Sequence, residues 1–447
     1  MTNPFIAPIA TALDHSGGIA PPPAITITGT DALPSFFAVT DLATASIGMA
    51  AAMIARYRGL ETDDLAPVTI DQRLASKWFD MTIRPDGWEL PGLWDAIAGD
   101  YQTNDGWIRL HTNAAHHRAA ALSVLGDHAD RQSLAPVVAR WNADDLEAAV
   151  IAAGGCAATM RSLENWQSHP QGKAVANEPL IDWQHHGSIT ATDRIIQPDR
   201  PLAGIRILDL TRVLAGPVAG RFLAAYGADV LRLDPPGWDE GAVIPEVTLT
   251  QASDRHRFEE LLAGADIILH GYRPDALPHL GYDAGQRRHI NPALIDITLC
   301  AYGWTGPWAT RRGFDSLVQM SCGIADFGMK NAGASKPVPL PVQALDHATG
   351  YLMAASAVKA LLIRQQSGIV RSARHSLART AHLLCDTAQK TRNQIMPPET
   401  PGDIDPRVEV TNWGPARRIR FPAVIDGVPA RWNHPAGRLR SSPAMWS

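Results

Sequence analysis

Gly204-Ile-Arg-Ile-Leu-Asp-Leu210, Ala215–Tyr226 and Ala228-Asp-Val-Leu-Arg-Leu233 decide the fold. The first and third stretches are short apolar runs of strand length, and the stretch between them carries helical spacing. The alternation continues downstream. Asp254–Ala263 reads as a helix, Asp266-Ile-Ile-Leu-His270 as a strand and Leu294–Leu299 as another strand. Short buried strands separated by helices predict an α/β fold with a parallel, doubly wound, Rossmann-like sheet.

The turn after the first strand reads Thr211-Arg-Val-Leu-Ala-Gly216-Pro217-Val-Ala-Gly220. It lacks the Gly-x-Gly-x-x-Gly spacing of a dinucleotide site, which argues against NAD. Pro217 suits the first turn of a helix, and Gly-Pro lets a phosphate approach the helix N-terminus. The same pair also suits a tight turn with no ligand. No Walker loop, Gly-x-Ser-x-Gly elbow or His-Glu-x-x-His is present.

Working outward, 447 residues exceed one ordinary core. Residues 1–85 and 86–180 precede the alternation, and the second block, with its Gly/Asp turns, reads as a small α+β domain. Residues 181–200 read as a linker, 201–385 as the large domain, and 386–447 as an extended C-terminal segment with a strand-like Arg418–Val424. With 19% charged residues and a net charge of −5, nothing favours nucleic acid. Cys156, Cys300, Cys322 and Cys385 lack metal-ligand spacing and suit a reducing, cytoplasmic setting, with no metal expected. The start of the sequence does not read as a signal peptide. The apolar run near Leu345–Ile363 is broken by Asp346, His347 and Lys359, so it reads as a buried helix and not a membrane span.

That run starts at Pro341-Val-Gln-Ala-Leu-Asp346-His347-Ala-Thr-Gly350. A carboxylate at a helix start is either a cap or a reactive group. Ala38-Val-Thr-Asp41-Leu-Ala43-Thr44 matches Gln343-Ala-Leu-Asp346-His-Ala348-Thr349 at Asp, Ala and Thr. Each is followed by an Ala-rich helix, a turn and a Leu-Ala segment, which points to an internal partial duplication. Asp41 reads as a structural cap.

Residues 201–234, Ala265-Asp-Ile-Ile-Leu-His-Gly-Tyr-Arg-Pro274, Tyr302-Gly-Trp-Thr-Gly-Pro307 and Arg311-Arg-Gly-Phe-Asp315 closely resemble class III CoA-transferases, the formyl-CoA and carnitine CoA-transferase group. The resemblance covers about residues 200–380. Gly99-Asp-Tyr-Gln-Thr-Asn-Asp-Gly-Trp107 resembles the family's small domain. The resemblance implies Asp346 as nucleophile. It implies CoA contacts at Leu214, Ala215, Gly271, Tyr272, Arg273, Arg312, Gly313, Phe314 and Asp315. Arg273 and Arg312 would pair with phosphates, although solvated loop arginines fit their spacing equally.

The implied reaction moves CoA between an acyl-CoA and a carboxylic acid through an aspartyl-CoA thioester. CoA is then substrate, with no permanent cofactor. Backbone N–H groups near Ala348–Gly350 would stabilise the oxyanions, and His347 would pack or cap. The implied partner is a second chain interlocked as a homodimer, or an intrachain pseudo-dimer, with no membrane. Related α-methylacyl-CoA racemases place a histidine where this chain has Phe314, and that favours transfer over racemisation. After Asp234, Val247–Ser253 runs directly into Asp254, about a dozen residues short of the family's pattern, and Pro235 replaces a basic residue. A non-catalytic relative of the same fold is the remaining alternative.

Overall fold

The computed structural model describes residues 3–14, 24–62, 65–191, 194–234, 252–387, 396–438 and 441–447. The shortened segment and Pro235 lie outside the described residues. In chain order, a helix at Ile6–Asp14 precedes strand β1 (Ile25–Thr28), the long helix Val39–Thr62, β2 (Val68–Asp71), the helix Gln72–Trp78 and β3 (Ile83–Pro85). A separate apolar cluster then forms around β4 (Gly99–Gln102), β5 (Trp107–Leu110) and β6 (Ala157–Thr159), with helices Ala115–Leu125, Arg131–Val138 and Ala143–Ala152 against them. After β7 (Asp182–Ser188) come β8 (Arg206–Asp209), β9 (Asp229–Arg232), β10 (Ile267–His270), β11 (Ile295–Cys300) and β12 (Ile369–Ser376). The chain closes with β13 (Glu409–Thr411), β14 (Gly414–Arg418) and β15 (Ala423–Ile425).

The large sheet has the order β7-β12-β11-β10-β8-β9. Its parallel strands β8, β9, β10 and β11 are those expected from the apolar runs, and every residue of β10 is buried. β12, which pairs parallel with β11, is not among those expected. The stretch read as a linker contributes β7, which pairs antiparallel with β12. Its polar sequence, Asp182-Trp-Gln-His-His-Gly-Ser188, lacks apolar alternation because an edge strand is half solvated. The C-terminal segment is likewise more than an extended tail. β14 pairs with β3 and β15 with β2, so it completes two sheets begun near the N-terminus. The expected strand Arg418–Val424 is divided: Arg418 ends β14, residues 419–422 connect the two strands, and Ala423 and Val424 begin β15.

Two 24-residue helices, Val39–Thr62 and Ala344–Ser367, pack together in the main core. Their small side chains permit burial on nearly every face. The repeat seen in sequence is also a repeat of geometry at one constant spacing. Val39, Thr62, Asp71 and Gln72 each lie 305 residues before Ala344, Ser367, Ser376 and Leu377, which begin or end the matching elements. Strand pairing follows suit. Val68 pairs with Ile25 of β1 and Ile425 of β15, and Ala373 pairs with Ile297 of β11 and Trp183 of β7. Each unit ties its long helix to the next helix by a hydroxyl pair at 2.7 Å, Thr40 with Ser76 and Thr349 with Thr380. Thr40 therefore does not cap its own helix, since its hydroxyl also accepts from Leu33 N.

The Ala344–Ser367 helix ends where Gly368 adopts φ 70° and its N–H meets the Arg364 carbonyl. Near its start it crosses the Ala215–Ala225 helix at Gly350, where a Cβ would stand 2.3 Å from the Ala215 carbonyl oxygen. Alanine there would gain about 1 kcal/mol of helix propensity. Overpacking against backbone costs about 1–3 kcal/mol and wins. Gly350→Ala is expected to lower unfolding free energy by about 1–2 kcal/mol in a urea titration. An unchanged midpoint would mean that the two helices can separate freely.

Candidate active site

Loops at the carboxyl ends of β8, β10 and β11 surround a cavity of about 380 Å³. Leu214, Ala215, Gly271, Tyr272, Arg273, Arg312, Gly313, Phe314 and Asp346 all line it. This is the crevice position expected for ligands of an open parallel sheet. His116 and His117, from the small domain of the same chain, close one side.

Four arginines border the cavity: Arg212, Arg273, Arg311 and Arg312. Arg212 donates to Tyr272 Oη at 3.1 Å and lies 5.3 Å over its ring. Arg273 is 3.7 Å from Asp275, a loose pair, and among the described residues Arg312 donates to the Gly154 carbonyl alone, at 3.4 Å. Arg311 is committed elsewhere. It pairs with buried Glu147 at 2.8 Å and stacks 3.9 Å over Trp308, locking the small domain to the large one. Beside it, burial opposes the Glu147 charge, but Arg311 and Arg161 outweigh that and hold its carboxyl below the usual range.

A second cavity of about 700 Å³ lies across Val213, Leu214, Phe314 and Asp346, the four residues that line both spaces. Val213 is non-glycine at φ 66° and 55% exposed. Such backbone strain concentrates at ligand-binding loops. The turn holding it is anchored by buried Asp209, which accepts from Thr211 N at 2.7 Å and Thr211 Oγ1 at 2.6 Å. Gly216 packs on that threonine, where a Cβ would come within 2.1 Å.

Asp346 is 8% exposed, sits in the first turn of its helix, and accepts no hydrogen bond from the described residues. Burial, then the charge of Asp315, pushes its pKa well above the ordinary carboxylate range. Asp315 lines the second cavity and not the first. It is 1% exposed and turned toward the start of the Asp346 helix. One oxygen accepts from Asp346 N at 2.9 Å, and the other takes the Gln319 amide. Gln319 accepts in turn from Leu340 N at 2.7 Å. Burial raises the Asp315 pKa to about 6 despite these bonds. The two buried carboxyls oppose each other's ionisation, and Asp315 accepts the hydrogen bonds that favour its charged form.

The helix begins at Ala344, two residues before the aspartate. The N–H groups of Ala348–Gly350 therefore lie in its second turn, inside the helix's own ladder, and are not free for an oxyanion. His347 stacks on Phe79 at 5.0 Å, and burial lowers its pKa to about 3. His111 stacks 3.8 Å from Phe314, with its pKa lowered by burial to about 3. Asp41 occupies the matching first-turn place in the other long helix, half-buried.

Sequence reasoning missed Arg212, His116 and His117. Arg212 stood inside the quoted Thr-Arg-Val-Leu-Ala-Gly-Pro turn and was legible there. The histidines carry no spacing signal, because only domain packing brings them to the strand ends. Among the described residues, no helix is long and apolar enough to cross a membrane. No cluster of three metal-type ligands occurs among them either.

Residues 202–249 and 243–417 match the model of CoA-transferase family III. Over that stretch the chain is similar to CoA-transferase family III. Among curated relatives, the probable fatty acyl-CoA transferase Rv3272 of Mycobacterium tuberculosis is 32% identical over 38% of this chain and 49% of its own length. Succinyl-CoA:glutarate CoA-transferase of Mus musculus is 31% identical over 38% of this chain and 43% of its own. An acyl-CoA transferase of Gibberella moniliformis is 25% identical over 71% of this chain and 65% of its own. A crystal structure of Rv3272 aligns with 42% of this chain and 59% of that one, at TM-score 0.37 and 29% identity. The chain thus spans from 34% to 65% of the length of such relatives.

Proposed function

We infer that this chain moves CoA from an acyl-CoA to a carboxylic acid through a thioester on Asp346. The observation that carries this reading is the place of Asp346. It is the carboxylate lining both cavities, one bordered by four arginines and one larger and walled in part by aromatic side chains. The first suits CoA, with phosphates near Arg212, Arg273 and Arg312. The second suits the acyl group and the acid. Relatives named as acyl-CoA and succinyl-CoA transferases support transfer at the level of the family.

Asp346, as carboxylate, attacks the thioester carbonyl and expels CoA thiolate, leaving an acyl–aspartyl anhydride. The thiolate attacks the aspartyl carbonyl, forming aspartyl-CoA and releasing the donor acid. The acceptor carboxylate then displaces the thiolate, and the thiolate attacks the new acyl carbonyl, freeing Asp346. A poorly solvated carboxylate is the stronger nucleophile once ionised, so the raised proton affinity fits the role. First-turn N–H groups at Ala215 and Gly216, whose helix has no side-chain cap, are the better oxyanion donors.

Incubation with acyl-CoA followed by borohydride or hydroxylamine is expected to modify Asp346 alone, read by peptide mass mapping. Modification at another residue refutes the intermediate. Deuterium wash-in at the α-carbon without CoA exchange would select the racemase chemistry that Phe314 disfavours.

A further inference from the structure

The second cavity has a wall that the transfer steps do not require. Trp78, Phe421 and Trp432 form it, and Arg221 lies half-buried among them. Its guanidinium carbon is 4.6 Å from the Trp78 ring centre and 5.2 Å from that of Trp432. One nitrogen donates to Thr82 Oγ1 at 3.1 Å. Nη2 is buried without a hydrogen-bond partner among the described residues. Glu409, the acid that most influences it, is already paired with Arg418. A desolvated guanidinium with an unmet donor favours a bound anion, and its planar fork favours a carboxylate.

Asp346 and Arg221 both line this cavity, Arg221 standing on the Ala215–Ala225 helix beside the aromatic wall. The cavity of about 700 Å³ has the size of a ring-bearing ligand's site. Trp78, Thr82, Phe421 and Trp432 all lie outside the family-matched residues 202–417, so flanking segments of this chain build the wall.

We propose that the second cavity selects acids with an aromatic or alicyclic body and a second carboxylate at the far end, held by Arg221. This rests on the transfer reading of the same site.

Calorimetry on the full chain, with biphenyl dicarboxylate, biphenyl monocarboxylate and succinate as probes, tests it. The aryl diacid is expected to bind on the order of tenfold tighter than the monoacid, with succinate weakest. Arg221→Met is expected to bring the diacid to the level of the monoacid and to leave the monoacid within about threefold. No preference in the parent chain, or equal losses for both aryl acids, overturns the proposal. Should Met disturb folding, Arg221→Lys keeps the stem and charge but not the fork, and is expected to shrink the preference several-fold; an undiminished preference in it overturns the proposal. Labelled-CoA exchange with the same acids separates the two readings. An Arg221-dependent preference without any exchange retains the site and removes transfer. Exchange with succinate and no aryl diacid preference does the reverse.

Discussion

Asp346→Asn is expected to lower CoA transfer by about 10³-fold or more, since an amide cannot form the acyl–aspartyl anhydride. That factor corresponds to about 4 kcal/mol of barrier. The same substitution is expected to stabilise the fold near neutral pH. Asp346 has a raised pKa in the folded chain, from burial and then from Asp315. Its contribution is therefore fully present below the unfolded carboxylate pKa, near 4, and is lost as pH rises through the folded value. Asparagine removes that loss. The midpoint difference between variant and parent is expected to grow as pH rises from about 4 upward. Full transfer activity in Asp346→Asn, or parallel pH curves, would refute the assignment of this group.

Asp315→Asn is expected to act on the same carboxylate from behind. Asp315 accepts from Asp346 N at 2.9 Å and holds Gln319. An amide offers one acceptor where two are used, so one buried donor is left poorly matched, at about 1–3 kcal/mol of stability. Loss of the Asp315 charge also removes a like charge beside the nucleophile. Asp346 then ionises more readily, and the rising limb of the kcat/KM pH profile is expected to move to lower pH. A merely structural defect would lower activity without moving that limb. An unmoved limb in a folded variant would show that the two carboxyls do not share charge.

Much of the site could be read before any coordinates, because a parallel sheet forces its loops to converge at one edge. Leu214, Gly271 and Arg312 follow separate strands or turns, and all three reach the same crevice as Asp346. Asp315 follows Phe314 in sequence but lines only the second cavity. The first turn of its helix rotates the carboxyl toward the Asp346 helix. β7 was hidden by its polarity, and β15 by its three-residue length.

The apolar runs by themselves determined the α/β alternation, and the Asp-x-Ala-Thr recurrence pointed to an internal partial duplication. These are local signals, written in periodicity and spacing. Long-range packing alone decided the rest. It set Asp346 between two cavities, brought His116 and His117 over the strand ends, and gathered Trp78, Arg221, Phe421 and Trp432 into one wall. Those residues are hundreds of positions apart in part, and no spacing rule links them. Their meeting follows from sheets that pair the chain's N-terminal strands with its last ones.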